Sequence, residues 1–133
     1  MADPVLIAAA IAARARAYAP YSQFLVGAAI KDEAGRIHAG CNVENAAYPQ
    51  GTCAEAGAIA AMVLAGGRRI VEAAVAGPGE GLVTPCGGCR QKLREFAAGD
   101  AAIHVCDAAG RVRRTFTLDE LLPASFGPEN LRS

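Results

Sequence analysis

The hydrophobic pattern of the chain changes period several times, and each change marks an element. An Ala-rich stretch from Asp3-Pro4 to Ala17 has the composition of a helix. Asp3 is placed to cap it, Pro4 takes its first position, and Pro20 ends it. Residues 24–31 and 36–41 are β-like runs joined by the turn signal Asp32-Glu33-Ala34-Gly35. Residues 42–51 are polar, contain Pro49 and Gly51, and read as loop. Residues 53–65 are helical by composition and stop at Gly66-Gly67. Ile70–Ala76 is a buried-strand pattern, followed by a Gly/Pro loop over residues 77–85. A further helix covers residues 86–98 and ends at Gly99. Residues 101–106 and 111–117 form the last two strands, and residues 121–131, with Pro123, Gly127 and Pro128, read as an irregular tail.

Only residues 107–110 join the final strands, so they pair antiparallel, because parallel neighbours need a crossover of about a dozen residues. The order α-β-β-α-β-α-β-β predicts an α/β fold with one mixed sheet and helices packed on it. No repeat or linker divides residues 1–133, which read as one domain.

Composition narrows the partners. Of 133 residues 53% are hydrophobic and 20% charged, a globular balance and not a disordered one. Thirteen basic residues offset thirteen acidic ones, which argues against a domain that grips a nucleic-acid polymer by charge. No apolar run reaches the ~18 residues of a membrane helix. Met1-Ala2-Asp3-Pro4 opens with an acid where an export signal places basic residues, so a reducing, cytoplasmic location is expected. There the odd count of five cysteines suits metal ligation plus spare thiols better than disulfides.

Two segments carry the chemistry: Thr52-Cys53-Ala54-Glu55 and Pro85-Cys86-Gly87-Gly88-Cys89. Each opens a predicted helix, whose free N–H groups and dipole favour thiolate over thiol. Three soft thiolates suit one zinc ion and leave its fourth position for water, which separates a catalytic site from a structural one. At the mouth of a helix Glu55 can sit beside that metal and move protons. The same residues admit plainer readings. Thr52-x-x-Glu55 fits a capping box, and a lone C-x-x-C fits a redox pair or half of a structural site. A zinc-stabilised binding module would need a fourth ligand from Cys41, Cys106, His38 or His104, all in predicted strands, and would leave Glu55 dispensable.

Over residues 18–131 the sequence resembles the cytidine deaminase family. The likeness rests on Pro20-Tyr21-Ser22, Phe24-Leu25-Val26-Gly27-Ala28-Ala29, Gly40-Cys41-Asn42-Val43-Glu44-Asn45-Ala46 and Cys53-Ala54-Glu55. It continues through Pro85-Cys86-Gly87-Gly88-Cys89-Arg90-Gln91 and Leu121-Leu122-Pro123-Ala124-Ser125-Phe126-Gly127. The metal motif itself is the general signature of zinc nucleobase deaminases. The resemblance implies a three-layer α/β/α sandwich and a small homotetrameric, three-cysteine enzyme. Cys53, Cys86 and Cys89 would bind one zinc, and Glu55 would shuttle protons between water, ring N3 and the 4-amino group. Phe24 would pack on the pyrimidine, Asn42 and Glu44 would hydrogen-bond the ribose, and Ala54 would be a further substrate contact. Tyr48 and Phe126 would be contributed by neighbouring subunits. The substrate implied is free cytidine, with a nucleoside antibiotic as the alternative. One departure concerns charge: where the family places Arg directly after the catalytic Glu, this chain has Ala56, and Arg90 is the nearest candidate to compensate.

Overall fold

The computed structural model describes residues 1–132. The first helix, α1, spans Pro4–Arg14, with the Asp3 carboxylate accepting from the Val5 N–H at 2.9 Å. It stops three residues short of Ala17 because residues 16 and 17 bond back to Ala13 and Arg14, tightening the last turn. The strands β1 (Gly27–Asp32) and β2 (Ile37–Cys41) follow, then the helix α2 (Ala54–Leu64) and β3 (Ile70–Ala76). The helix α3 (Gly87–Phe96) runs straight into β4 (Ala97–Cys106), and β5 (Val112–Thr117) leads into the short helix α4 (Leu118–Leu121).

Three differences from the sequence expectation have local causes. Phe24 lies before β1, since Gln23 takes a left-handed φ of 59° and the Asn42 side chain occupies the Phe24 carbonyl and the Val26 N–H. The break expected at Gly99 is absent. That glycine sits inside β4 because a Cβ there would meet the Asp119 carboxylate at 2.2 Å. The tail is not wholly irregular: it holds the end of α4 and a one-turn 3₁₀ helix at Pro128–Leu131. A capping box between Thr117 and Glu120 starts α4.

The sheet order is β2-β1-β3-β4-β5. β1 is antiparallel to both β2 and β3, β3 and β4 run parallel through the α3 crossover, and β4 and β5 run antiparallel. Leu6 and Ala10 of α1 cover Ala29, Ala74, Ala76 and Cys106 on one face. Met62, Leu93 and Leu118 cover Ile30, Ala73 and Ile103 on the other, which makes three layers. Each such fully buried Leu, Ile or Met contributes about 1.5–3 kcal/mol. No helix among the described residues is long and apolar enough to cross a membrane. Gly40 sets how closely α2 approaches the sheet. A Cβ there would come within 2.4 Å of the Ala54 carbonyl oxygen, so its absence lets the first turn of α2 press directly on β2.

Candidate active site

The helices α2 and α3 both begin on a cysteine. Cys53 is the N-cap of α2 and Cys86 of α3, each in extended backbone. Cys89 follows in the first turn of α3 and is fully buried. The Cys53 and Cys86 sulfurs stand 3.8 Å apart, and all three sulfurs lie within 4.8 Å of one another. A tetrahedron with zinc–sulfur arms of about 2.3 Å has an edge of about 3.8 Å, so spacing and donor softness fit zinc.

Electrostatics point the same way. Burial raises the Cys53 thiol, and burial together with the Glu55 charge raises Cys89. Cys86 is lowered, chiefly because the Cys89 backbone N–H donates to its sulfur. A cation among the sulfurs removes the penalty on the two raised thiols. Among the described residues no histidine or further cysteine joins this group. His38 is bound to Asp32 at 2.8 Å, and His104 lies between Glu72 and Thr115 at 2.6 and 2.8 Å. The Cys41 thiol donates to the Arg16 carbonyl, and Cys106 packs under α1 with its thiol pushed up to about 11 by burial.

Glu55 occupies the second position of α2 and is 4% exposed. The capping box that Thr52-x-x-Glu55 allows is not formed, because the cap is Cys53 and not Thr52. Burial raises the Glu55 pKa, while its own backbone N–H, the Cys89 thiol and the charge of Lys92 pull the other way. A buried carboxyl raised in this manner can hold or release a proton closer to neutrality.

In front of these groups lies a cleft of about 350 Å³. Phe24, Val26, Val75 and Val83 form its apolar wall, Ala54 and Glu55 lie beside Cys53 and Cys86, and Asn42 and Glu44 line it as well. Among the described residues no Lys or Arg lines it. Phe24 is 46% exposed, so it faces the cleft instead of a core. A wider groove of about 730 Å³ runs along α1 and β5, on the α1 side of the sheet and away from the sulfurs. A match to the model of the cytidine and deoxycytidylate deaminase zinc-binding region extends over residues 2–105.

The chain belongs to the cytidine and deoxycytidylate deaminase family.

Its similarity to a cytidine deaminase of Sporosarcina psychrophila is 44% identity over 126 residues, covering 95% of this chain and 92% of that one. A cytidine deaminase of Mycobacterium tuberculosis is 41% identical over 119 residues, 90% of this chain and 85% of that one. The crystal structure of cytidine deaminase from Burkholderia pseudomallei superposes with a TM-score of 0.87 at 41% identity, covering 95% and 100% of the two chains.

Within this deaminase framework the structure places Tyr48, Arg90 and Phe126 as follows. Tyr48 lines the cleft of its own chain and meets Tyr21 edge to face at 6.1 Å between ring centres. Arg90 does not reach the thiols with its hydrogen bonds. Its guanidinium is committed to the Pro85 and Leu121 carbonyls and the Thr84 hydroxyl, at 2.7, 2.8 and 2.9 Å. Phe126 lies outside its own cleft, 58% exposed, with its carbonyl accepting from the Gln91 amide. Sequence reasoning missed Val83 and Thr84 as cleft residues. Their signal is position, immediately before Pro85-Cys86 in a loop whose Gly77 leaves no room for a Cβ beside Val83.

Proposed function

We propose that this chain is a single-domain, zinc-dependent cytidine deaminase that converts free cytidine and 2′-deoxycytidine to uridine and deoxyuridine, releasing ammonia. The observation that carries it is the three-sulfur group with no fourth protein ligand among the described residues, set beside a buried Glu55 at the cleft. Relatives named for cytidine favour this over a nucleoside-antibiotic deaminase. Cleft walls without Lys or Arg, and with Glu44 among them, favour a nucleoside over its phosphate.

Bound by Cys53, Cys86 and Cys89, zinc supplies a Lewis acid that brings the pKa of water to about 7. Glu55 takes one proton from the attacking water and gives it to ring N3, then takes the second from the hydroxyl added at C4 and gives it to the 4-amino group, which leaves as ammonia while the C4 carbonyl forms. Its carboxyl is suited to this because burial raises its pKa above that of an ordinary exposed glutamate. Phe24 and the valines sequester the ring from water, and Ala54 lies at the buried end of the cleft. Asn42 and Glu44 hydrogen-bond the ribose. Purified protein should hold about one zinc per chain, in a shell of three sulfurs and one light atom. It should remove the absorbance of cytidine as uridine forms, and a four-sulfur shell by X-ray absorption would overturn the reading.

Glu44→Gln should lower kcat/KM for cytidine by about tenfold, one charge-assisted hydrogen bond, and much less for 3′-deoxycytidine, because the Gln oxygen still accepts from the Tyr21 and Ser22 N–H groups and its amide can still pair with the Ser22 hydroxyl. Equal loss on both substrates would make Glu44 structural.

The active form is a cytoplasmic homotetramer in which Phe126, exposed and outside its own cleft, closes the cleft of a neighbour. Phe126→Ala should lower kcat/KM by about tenfold with little change in Tm, as an exposed ring contributes little to its own chain's core. Sedimentation of a fully active monomer would refute this assembly.

A further inference from the structure

The cleft wall that bears Phe24 hangs from one carboxylate through one hydroxyl. Glu44 Oε1 accepts from the Tyr21 and Ser22 N–H groups at 3.0 and 3.1 Å, and Oε2 accepts from the Ser22 hydroxyl. The same Ser22 Oγ then accepts from the Phe24 N–H at 3.0 Å. Between Ser22 and Phe24 the chain takes its left-handed turn at Gln23, whose N–H donates to the Ala19 carbonyl. On the far side of Phe24, Asn42 Nδ2 donates to its carbonyl and Oδ1 accepts from Val26. Both polar groups assigned to the sugar therefore also hold the segment that carries the aromatic wall. A non-glycine residue in left-handed backbone costs free energy on its own and persists only where its surroundings over-determine it.

We propose that Ser22 is a positioning residue: its hydroxyl couples the Glu44 carboxylate to the Phe24 backbone, so that sugar and ring recognition are set together. This rests on the cleft being the nucleoside site. Ser22 touches no reacting atom, and zinc binding and the proton path through Glu55 lie outside the coupled segment. Loss of the hydroxyl frees Glu44 Oε2 and the Phe24 N–H to bond water. Carboxylate and ring then no longer hold one shared orientation before substrate arrives, and binding weakens while chemistry after binding is preserved.

The test uses Ser22→Ala and Ser22→Thr in the zinc-loaded enzyme, with kcat, KM, zinc content and Tm measured together. Ser22→Ala should raise KM for cytidine about tenfold, near the value of one hydrogen bond to a charged group, with kcat within about twofold of wild type. It should raise KM for 3′-deoxycytidine as well, since the Phe24 wall is affected whichever sugar is bound. Ser22→Thr, which keeps the hydroxyl, should recover most of the loss. A lower Tm with unchanged KM would overturn the proposal, leaving the hydroxyl as a loop staple. A fall confined to kcat would overturn it equally. An inactive wild-type protein would defeat the deaminase reading, a result distinguishable from either of these.

Discussion

Glu55→Gln should fold, keep its zinc and lose ~10²–10⁴-fold in kcat for cytidine, the usual worth of a general acid–base group. The amide keeps the shape and the buried position but can neither take up nor release a proton near neutral pH. The structure makes this comparison clean. Glu55 is neither the cap of α2 nor one of the sulfur ligands, and the Gln amide oxygen can still accept from the position's own backbone N–H, so the cap and the three sulfurs are untouched. Zinc by atomic emission and turnover by absorbance check the two halves separately. Near-normal activity in a zinc-loaded Glu55→Gln protein would defeat the mechanism. Loss of zinc would show instead that the carboxylate holds the metal.

Cys89→Ala should lose both zinc and all measurable turnover, the largest effect expected of any single substitution. Cys89 is the fully buried sulfur, and two thiols alone make a weak, open site. Cys106→Ala is the control. It removes an equally buried sulfur on the opposite face of the sheet, so it should keep the metal and activity and lose only cavity energy. Zinc retention by Cys89→Ala, or zinc loss from Cys106→Ala, would place the metal elsewhere.

The metal triad was legible in the sequence because helix starts, thiol softness and C-x-x-C spacing are local properties, and Ile70–Ala76 was legible from its unbroken apolar run. What escaped was held by bonds between distant positions. Glu44 looked like a ribose ligand, and its bonds to Tyr21 and Ser22 span 23 and 22 residues. Arg90 sits one residue from a ligand, yet its guanidinium is drawn to the Leu121 carbonyl 31 residues away. Gly99 read as a helix stop, a correct rule for an isolated segment, until Asp119 packed against it and made the small residue a requirement of the strand. Thr117-x-x-Glu120 carried a readable capping signal within a stretch dominated by prolines and glycines further on.

The sulfurs that meet in front of the cleft belong to positions 33 residues apart, with α2 and β3 between them. Zinc shared by Cys53 and Cys86 therefore acts as a removable cross-link that closes a loop through the centre of the chain. In the unfolded ensemble such a closure withholds conformational freedom, and a covalent tie over a loop of this length would stabilise by about 3–4 kcal/mol. A metal bond that survives in the unfolded chain imposes the same restriction, and one that breaks adds its binding energy to folding instead. Either way thermal resistance and metal supply are linked. Cells short of zinc would hold a pool of this chain that is not only idle but also less resistant to heat and proteolysis, with its midpoint rising as metal returns.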